Sequence, residues 1–133
     1  MPLTASRNTQ QKDAELIPLL VATGVKIFGG ALVAINAGGY AVPGAVSATL
    51  KYVGRAEEYC DNTAGADGAE TVLVRRKKAF KWLNSATDPV AQADVGNTVY
   101  IIDDQSVAKT SGSAARSVAG KLLGVDTDGV WVE

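Results

Sequence analysis

Turn-forming residues interrupt this chain at short intervals along its whole length. Its 14 glycines and 4 prolines are spread through 133 residues, so the segments between turns are short. Aromatic residues make up only 6% of the chain, and much of its apolar content is Ala and Val. Small and β-branched side chains divided by frequent turns are typical of β-structure, and they argue against a bundle of long helices.

Composition excludes several classes of function. The net charge of −1 lacks the positive field of a general nucleic-acid or membrane-surface binder. No apolar run approaches the roughly 20 residues that span a bilayer, and the polar N-terminus does not resemble a secretory signal. Cys60 is the single cysteine, so no internal disulfide can form. The chain contains no histidine, which removes the commonest catalytic pairs and metal ligands. We therefore predict no enzyme activity, no cofactor and no metal site.

Short apolar segments predict most of the strands. They cover residues 15–22, 25–28, 31–35, 40–42, 51–61, 98–102, 118–126 and 130–132. Pro18 restricts the first of these strands to a sheet edge or a bulge. Asp128-Gly129 favours a type I′ turn between the last two.

The longest periodic segment runs from Glu70 to Leu83. Its apolar residues share one face of an ideal strand, but Arg76 and Lys78 would then lie on that face too. We therefore expect a bulge or turn near residues 75–78. The apolar residues concerned are Val72, Val74, Phe80 and Trp82.

One short helical turn is expected over residues 89–94, with Asp88 as its N-cap and Gly96 as its stop. The predicted fold is all-β, a small β-sandwich or β-barrel of about eight to ten short strands. Residues 1–14 form an extended N-terminal arm, and residues 15–133 form a single β-domain. No internal repeat is strong enough to use.

The densest charge cluster is basic and lies in the segment just described. One interpretation is a solvated strand end whose charges discourage edge pairing. Another is a surface complementary to an acidic patch on a partner protein, and nucleic-acid binding is the least favoured. The cluster comprises Arg75, Arg76, Lys77 and Lys78, with Lys81 close by.

The polar arm and the two tryptophans are further candidates for contacts. The arm is either a frayed terminus or a segment that docks on a neighbouring subunit, with Arg7, Asn8 and Lys12 as its polar contacts. Trp82 and Trp131 are interpreted as anchors of the core or of a subunit interface.

The acidic residues give no sign of a catalytic or metal site. Asp126–Gly129 and Asp61–Gly68 lack the further oxygen ligands of a calcium loop and are better explained by turn chemistry. Glu57 and Glu58 are adjacent, so in a strand they point to opposite faces and cannot form a carboxylate pair.

Several segments together resemble a family of tailed-bacteriophage head decoration proteins, also called capsid cement proteins. The resemblance covers roughly residues 10–133 and depends on the order and spacing of the segments. The N-terminal part, Lys26–Pro43, is similar in layout. The remaining segments are Gly54–Glu58, Asp61-Asn62, Val72–Arg76, Phe80–Trp82 with Asn84, Asp94–Gly96, Val99–Asp104, Val107–Thr110 and Gly124–Val132.

This resemblance implies a structural protein on the exterior of the virion, made in the host cytoplasm. Such a protein binds the expanded major capsid protein lattice, bridges neighbouring subunits and stabilises the head against internal DNA pressure. It acts as a homodimer or homotrimer and contacts neither nucleic acid nor membrane. The predicted capsid or subunit interface comprises Arg7, Asn8, Lys12, Arg75, Arg76, Lys77, Lys78 and Trp82.

Two other classes of function remain as alternatives. A carbohydrate- or cell-surface-binding β-module would use some of the two Trp and four Tyr residues as sugar platforms. An enzyme is disfavoured by the absence of histidine and of any nucleophile motif. Binding of the isolated protein to a glycan array would identify the sugar-binding class, whereas binding only to assembled shells would identify a decoration protein.

Overall fold

The computed structural model describes residues 1–133 and contains almost only β-structure, which confirms the predicted all-β class. It has twelve strands and one 3-10 turn, Gln92–Asp94. The number of strands exceeds the predicted eight to ten, because residues 51–61 form two strands and because β10 was not predicted. They are β1 (Leu16–Leu20), β2 (Lys26–Ile27), β3 (Leu32–Ile35), β4 (Ala41–Pro43), β5 (Lys51–Ala56), β6 (Cys60–Asp61), β7 (Thr71–Arg75), β8 (Phe80–Asn84), β9 (Thr98–Ile101), β10 (Ser106–Ala108), β11 (Val118–Asp126) and β12 (Gly129–Val132).

Five strands form an antiparallel sheet in the order β1-β7-β5-β3-β4, here called the N-terminal sheet. β1 lies at one edge, where Pro18 is tolerated because no further strand needs its missing N–H, as predicted. β4 lies at the other edge and forms the predicted hairpin with β3. A separate ribbon of β2 and β6 contributes Ile27 and Cys60 to the buried cluster of this sheet.

The other five strands close into a barrel in the order β10-β8-β12-β11-β9, here called the C-terminal barrel. β8 and β10 are parallel, and every other neighbouring pair is antiparallel. β11 and β12 form the predicted final hairpin. The predicted type I′ turn is wrong, because neither Asp128 nor Gly129 has a positive φ. Glycine is needed at 129 for space, since a Cβ there would lie 2.8 Å from the carbonyl oxygen of Trp82.

The turn predicted near residues 75–78 is present and joins the two units. β7 ends at Arg75 in the N-terminal sheet, and β8 begins at Phe80 in the C-terminal barrel. Lys77 has a φ of 61°, a left-handed conformation that is uncommon for a residue other than glycine. The alternation of apolar residues between Glu70 and Leu83 breaks at this turn because the chain leaves the N-terminal sheet and enters the C-terminal barrel there.

The N-terminal sheet and the C-terminal barrel have the same strand order. Counted along the chain within each unit, the first strand pairs with the fifth, the fifth with the fourth, the fourth with the second and the second with the third. The third strand then returns to the first in parallel orientation. In the barrel this last pairing is β10 with β8, and in the sheet it is the single bridge between Val21 and Ala41.

The strand register repeats as well, with the same bulge between the second and fourth strands. In the sheet the paired residues are Leu32 with Arg55, Val33 with Gly54 and Ala34 with Tyr52. In the barrel they are Thr98 with Lys121, Val99 with Gly120 and Tyr100 with Val118. We call residues that occupy the same place in the two units equivalent.

Backbone hydrogen bonds confirm this equivalence. Gly30 donates its N–H to the carbonyl of Ala56, and Gly96 donates to the carbonyl of Leu122, each at 2.8 Å. Both glycines have a positive φ, 87° and 94° respectively. The two units therefore share a backbone plan that the sequence does not reveal, because they have only scattered residues in common.

Two local predictions were also wrong. Residues 51–61 form two strands rather than one, because β5 belongs to the N-terminal sheet whereas β6 pairs with β2. The 3-10 turn is shorter than the predicted 89–94, and Asp88 does not cap it. Asp94 closes the turn instead by accepting a hydrogen bond from the Ala91 N–H at 2.8 Å.

Candidate functional site

The basic turn, residues Arg75–Lys78, is partly neutralised by carboxylates that are distant in sequence. Arg75 pairs with Glu57 at 3.2 Å, and Lys78 pairs with Glu15 at 3.2 Å. A hydrogen bond from Arg55, assisted by the nearby Arg75, holds the pKa of Glu57 below its usual range. Arg76 and Lys77 have no carboxylate oxygen within 4.0 Å. These two side chains therefore carry the available positive charge of the turn.

The N-terminal arm leaves the body of the protein beside the basic turn. Residues 1–13 are exposed and have no regular secondary structure. At the base of the arm, the Arg76 N–H donates to the carbonyl of Glu15 at 2.8 Å. β1 and β7 are antiparallel neighbours, so the start of β1 lies next to the end of β7.

The predicted contact residues of the arm remain apart from the basic turn. Arg7, Asn8 and Lys12 are exposed and make no side-chain hydrogen bond or ion pair with the body. The structure thus brings the base of the arm to the basic turn, but it does not bring these three side chains there.

Trp82 does not lie on the surface, so the prediction that it forms part of a capsid or subunit interface is wrong. Its side chain is only 4% exposed and lies in the barrel core, with its ring centroid 5.9 Å from that of Phe80. The alternation of β8 places Phe80 and Trp82 inside the barrel together. Burial raises the pKa of the neighbouring Tyr52 to about 12, and the Trp82 indole partly offsets that rise.

Trp131 lies on the outside of the barrel and is 38% exposed. Its indole N–H donates to Asp126 at 2.9 Å, and the Lys81 ammonium lies 5.8 Å from the ring centroid. Lys81 also pairs with Asp126 and with Asp128. The hydrogen bond to Asp128 raises the pKa of Lys81 and lowers that of Asp128.

In the segment Asp61–Gly68, Asp61 makes a turn hydrogen bond with Thr63, whereas Asp67 bonds to Thr23, which is distant in sequence. Asp61 accepts from the N–H and the hydroxyl of Thr63, which lowers its pKa. Asp67 accepts from the Thr23 N–H at 2.8 Å. No cluster of three or more His, Cys, Asp or Glu side chains is arranged to hold a metal ion.

An exposed aromatic pair was missed by the sequence analysis. Phe28 is 57% exposed and Tyr59 is 53% exposed, with ring centroids 5.5 Å apart. A concavity of about 390 Å³ beside Phe28 is also lined by Gly29, Asp104 and Gln105. The signal that would have found the pair is the β2–β6 pairing, which no local pattern in the sequence reveals.

No helix in the structure has the length and apolar character needed to cross a membrane. No protein-family model, no curated protein and no solved structure gives a significant match to this chain.

Proposed function

We propose that this chain is a structural protein that binds the outer surface of an expanded phage capsid and bridges major capsid protein subunits. The observation that carries the proposal is the position of the exposed arm beside the basic turn. The resemblance of the ordered sequence segments to head decoration proteins supports the same function. A rigid β-body with an extended arm can contact two neighbouring subunits, and the second contact benefits from a high effective concentration.

The charges of this region favour an acidic patch on the capsid as the complementary surface. Arg76 and Lys77 are not paired with a carboxylate within the protein. The exposed arm carries two further positive charges, Arg7 and Lys12, apart from the turn. Exposed charges of this kind raise the association rate and select the partner, and salt screens them. Binding to shells is therefore expected to weaken as salt is raised from about 0.05 M to about 0.5 M.

Co-sedimentation with expanded and unexpanded empty heads tests the proposal. We expect saturable binding to expanded heads alone. Replacing Arg76 and Lys77 together with Gln should weaken that binding about tenfold or more, as should deletion of residues 1–12. Lys81→Gln is the matched control, because Lys81 is already paired with Asp126 and Asp128. Absence of binding to both kinds of shell would overturn the proposal.

A carbohydrate-binding module is the second candidate, and the exposed Phe28–Tyr59 pair favours it. Aromatic faces beside a concavity with a carboxylate and an amide, from Asp104 and Gln105, suit the apolar face and hydroxyls of a sugar. Under this alternative the isolated protein binds a glycan array, and Phe28→Ala removes that binding without affecting stability. No glycan binding by the isolated protein would exclude it.

A further inference from the structure

A concavity of about 260 Å³ lies where the N-terminal sheet meets the C-terminal barrel, directly beside the basic turn. Ala79, the first residue after that turn, lines it together with Gly30. Phe80 and Trp131 of the barrel also line it, and Trp131 is 38% exposed. We call this feature the aromatic concavity. An open concavity with aromatic walls suits an apolar side chain of a partner.

Two cations flank the aromatic rings of the concavity, but only one of them is available to a partner. The Arg55 guanidinium lies 5.0 Å from the centroid of the Phe80 ring, and the Lys81 ammonium lies 5.8 Å from that of the Trp131 ring. Lys81 is neutralised by two carboxylates of the β11–β12 hairpin. Arg55 is therefore the cation of the concavity that can bind an external anion.

The ion pairs of Arg55 leave a positive charge without a counter-charge. Arg55 and Arg75 both pair with the same carboxylate oxygen of Glu57, at 2.5 Å and 3.2 Å. Two guanidinium groups against one carboxylate have a net charge of +1. Arg55 uses one N–H donor in this contact, whereas a guanidinium has five. A carboxylate supplied from outside the chain would complete the pairing.

We propose that the aromatic concavity binds an extended segment of the major capsid protein in which an apolar side chain lies next to a carboxylate. The apolar side chain packs against Trp131 and Phe80, and the carboxylate accepts hydrogen bonds from Arg55. This inference rests on the proposed function, because the concavity is continuous with the basic turn, where Arg76 and Lys77 favour the same acidic partner. Aromatic and arginine side chains are the residue types that contribute most to protein–protein binding.

Two capped dipeptides that differ only in charge test the proposal on the isolated full chain. N-acetyl-Leu-Asp-amide carries an apolar side chain next to a carboxylate, and N-acetyl-Leu-Asn-amide has the same shape without the charge. We expect the acidic dipeptide to bind at least about tenfold more tightly, because a charged hydrogen bond to a guanidinium distinguishes the two. Binding is measured by NMR titration of backbone amide and indole N–H signals.

The NMR signals also report where the dipeptide binds. The chain has only two tryptophans, so each indole N–H signal can be assigned to one of them. The signals of the exposed Trp131 indole and of the Ala79 amide should shift, whereas that of the Trp82 indole, which is buried, should shift less. No shift at Trp131, or equal affinities of the two dipeptides, would overturn the proposal.

Three variants separate the charge of Arg55 from the space beside it. Arg55→Gln should reduce the affinity for the acidic dipeptide to that for the neutral one. Lys121→Gln is the matched control, because Lys121 is the barrel equivalent of Arg55 but lines no concavity. Ala79→Leu fills the concavity without changing a charge and should weaken binding of both dipeptides. Equal losses in Arg55→Gln and Lys121→Gln would attribute binding to net charge alone and would contradict the proposal.

Co-sedimentation of Ala79→Leu with expanded heads tests the capsid as the source of the segment. The variant should bind about tenfold more weakly than the wild type. Undiminished binding of Ala79→Leu would overturn this inference and leave the proposed function intact. Failure of the wild type to bind heads, with the acidic dipeptide still bound, would instead overturn the proposed function and the capsid as the partner.

Discussion

The N-terminal sheet and the C-terminal barrel have one topology but close in different ways. The barrel is closed by the parallel pairing of β8 with β10, whereas the sheet is closed only by the bridge from Val21 to Ala41. Their interiors also differ in the size of the side chains that fill them. The barrel has Trp82 and Leu122 where the sheet has the smaller Leu19 and Ala56. Large side chains thus fill a closed ring, and smaller ones leave space that another element must occupy.

In the N-terminal sheet, the segment between β5 and β7 fills that space. Cys60 of β6 packs into the cluster beside Ile27 of β2. Asn62, which is 1% exposed, donates through its amide to the carbonyls of Val21, Ala22 and Ala66. One side chain therefore satisfies backbone groups next to the weak closure, a task that strand pairing performs in the barrel.

The largest expected effect comes from the interior of the barrel. Trp82→Ala should lower the free energy of unfolding by about 4 kcal/mol, because it leaves a large cavity in a closed ring. The equivalent change in the sheet, Leu19→Ala, should cost about 1.5 kcal/mol, since Leu19 is only half-buried. Urea denaturation of both variants measures the difference.

Trp131→Ala is the control for loss of an indole without a buried cavity, and it should cost less than about 1 kcal/mol. Equal losses for Trp82→Ala and Leu19→Ala would mean that the two interiors are packed alike, which would remove the distinction between the units.

A glycine at the shared bulge tests the equivalence of the backbones. A Cβ on Gly54 would lie 2.0 Å from the carbonyl oxygen of Arg75, and one on Gly120 would lie 2.2 Å from that of Glu133. Gly54→Ala and Gly120→Ala should each cost about 3 kcal/mol, because in each unit the clashing carbonyl belongs to backbone that strand pairing holds in place. Glu133 is held by two backbone hydrogen bonds with Lys121, at 2.9 Å and 3.1 Å.

Thermal unfolding compared across the two alanine variants provides the measurement. A loss of less than about 1 kcal/mol for either variant would contradict the equivalence of the two bulges.

The sequence was sufficient for the local elements and insufficient for their closure. Alternation and turn residues predicted β3 with β4 and β11 with β12, because hairpin partners are neighbours in the chain. The equivalence of Gly54 and Gly120 could not be predicted, since it depends on which strand lies opposite each glycine. Alternation does not decide whether Trp82 lies in the core or at an interface, because it defines a shared face but not the side on which solvent lies.

The candidate site was predicted in part for a similar reason. The break in alternation at Arg76 and Lys78 placed a turn correctly. Which of its charges are neutralised was not accessible, because Glu15 and Glu57 are brought to the turn by β1 and β5, far from it in sequence.

The smallest expected effect concerns the loops that precede the fourth strand of each unit. In the sheet this loop is covered by the barrel, where the Ser117 hydroxyl donates to the carbonyl of Ser47. In the barrel the equivalent loop, residues 109–117, is exposed over most of its length and is held there by charge, although Ser117 at its end is buried against the sheet. The Asp88 carboxylate accepts from the N–H and hydroxyl of Thr110 and from Arg116. These contacts, the Thr110 hydroxyl first, hold the pKa of Asp88 below its usual range.

Asp88→Asn should therefore lower the Tm, and the size of this loss should depend on pH. A carboxyl group whose folded pKa is depressed stabilises the protein above its unfolded pKa of about 3.9, and this contribution is lost as the pH falls through the folded pKa. The Tm difference between wild type and Asp88→Asn should be constant above about pH 5 and shrink below about pH 4. Ser117→Ala, which removes an uncharged contact, should instead lower the Tm by the same amount above about pH 5 and below about pH 4. A pH-independent effect of Asp88→Asn would show that packing, rather than the charge of Asp88, holds the loop of residues 109–117.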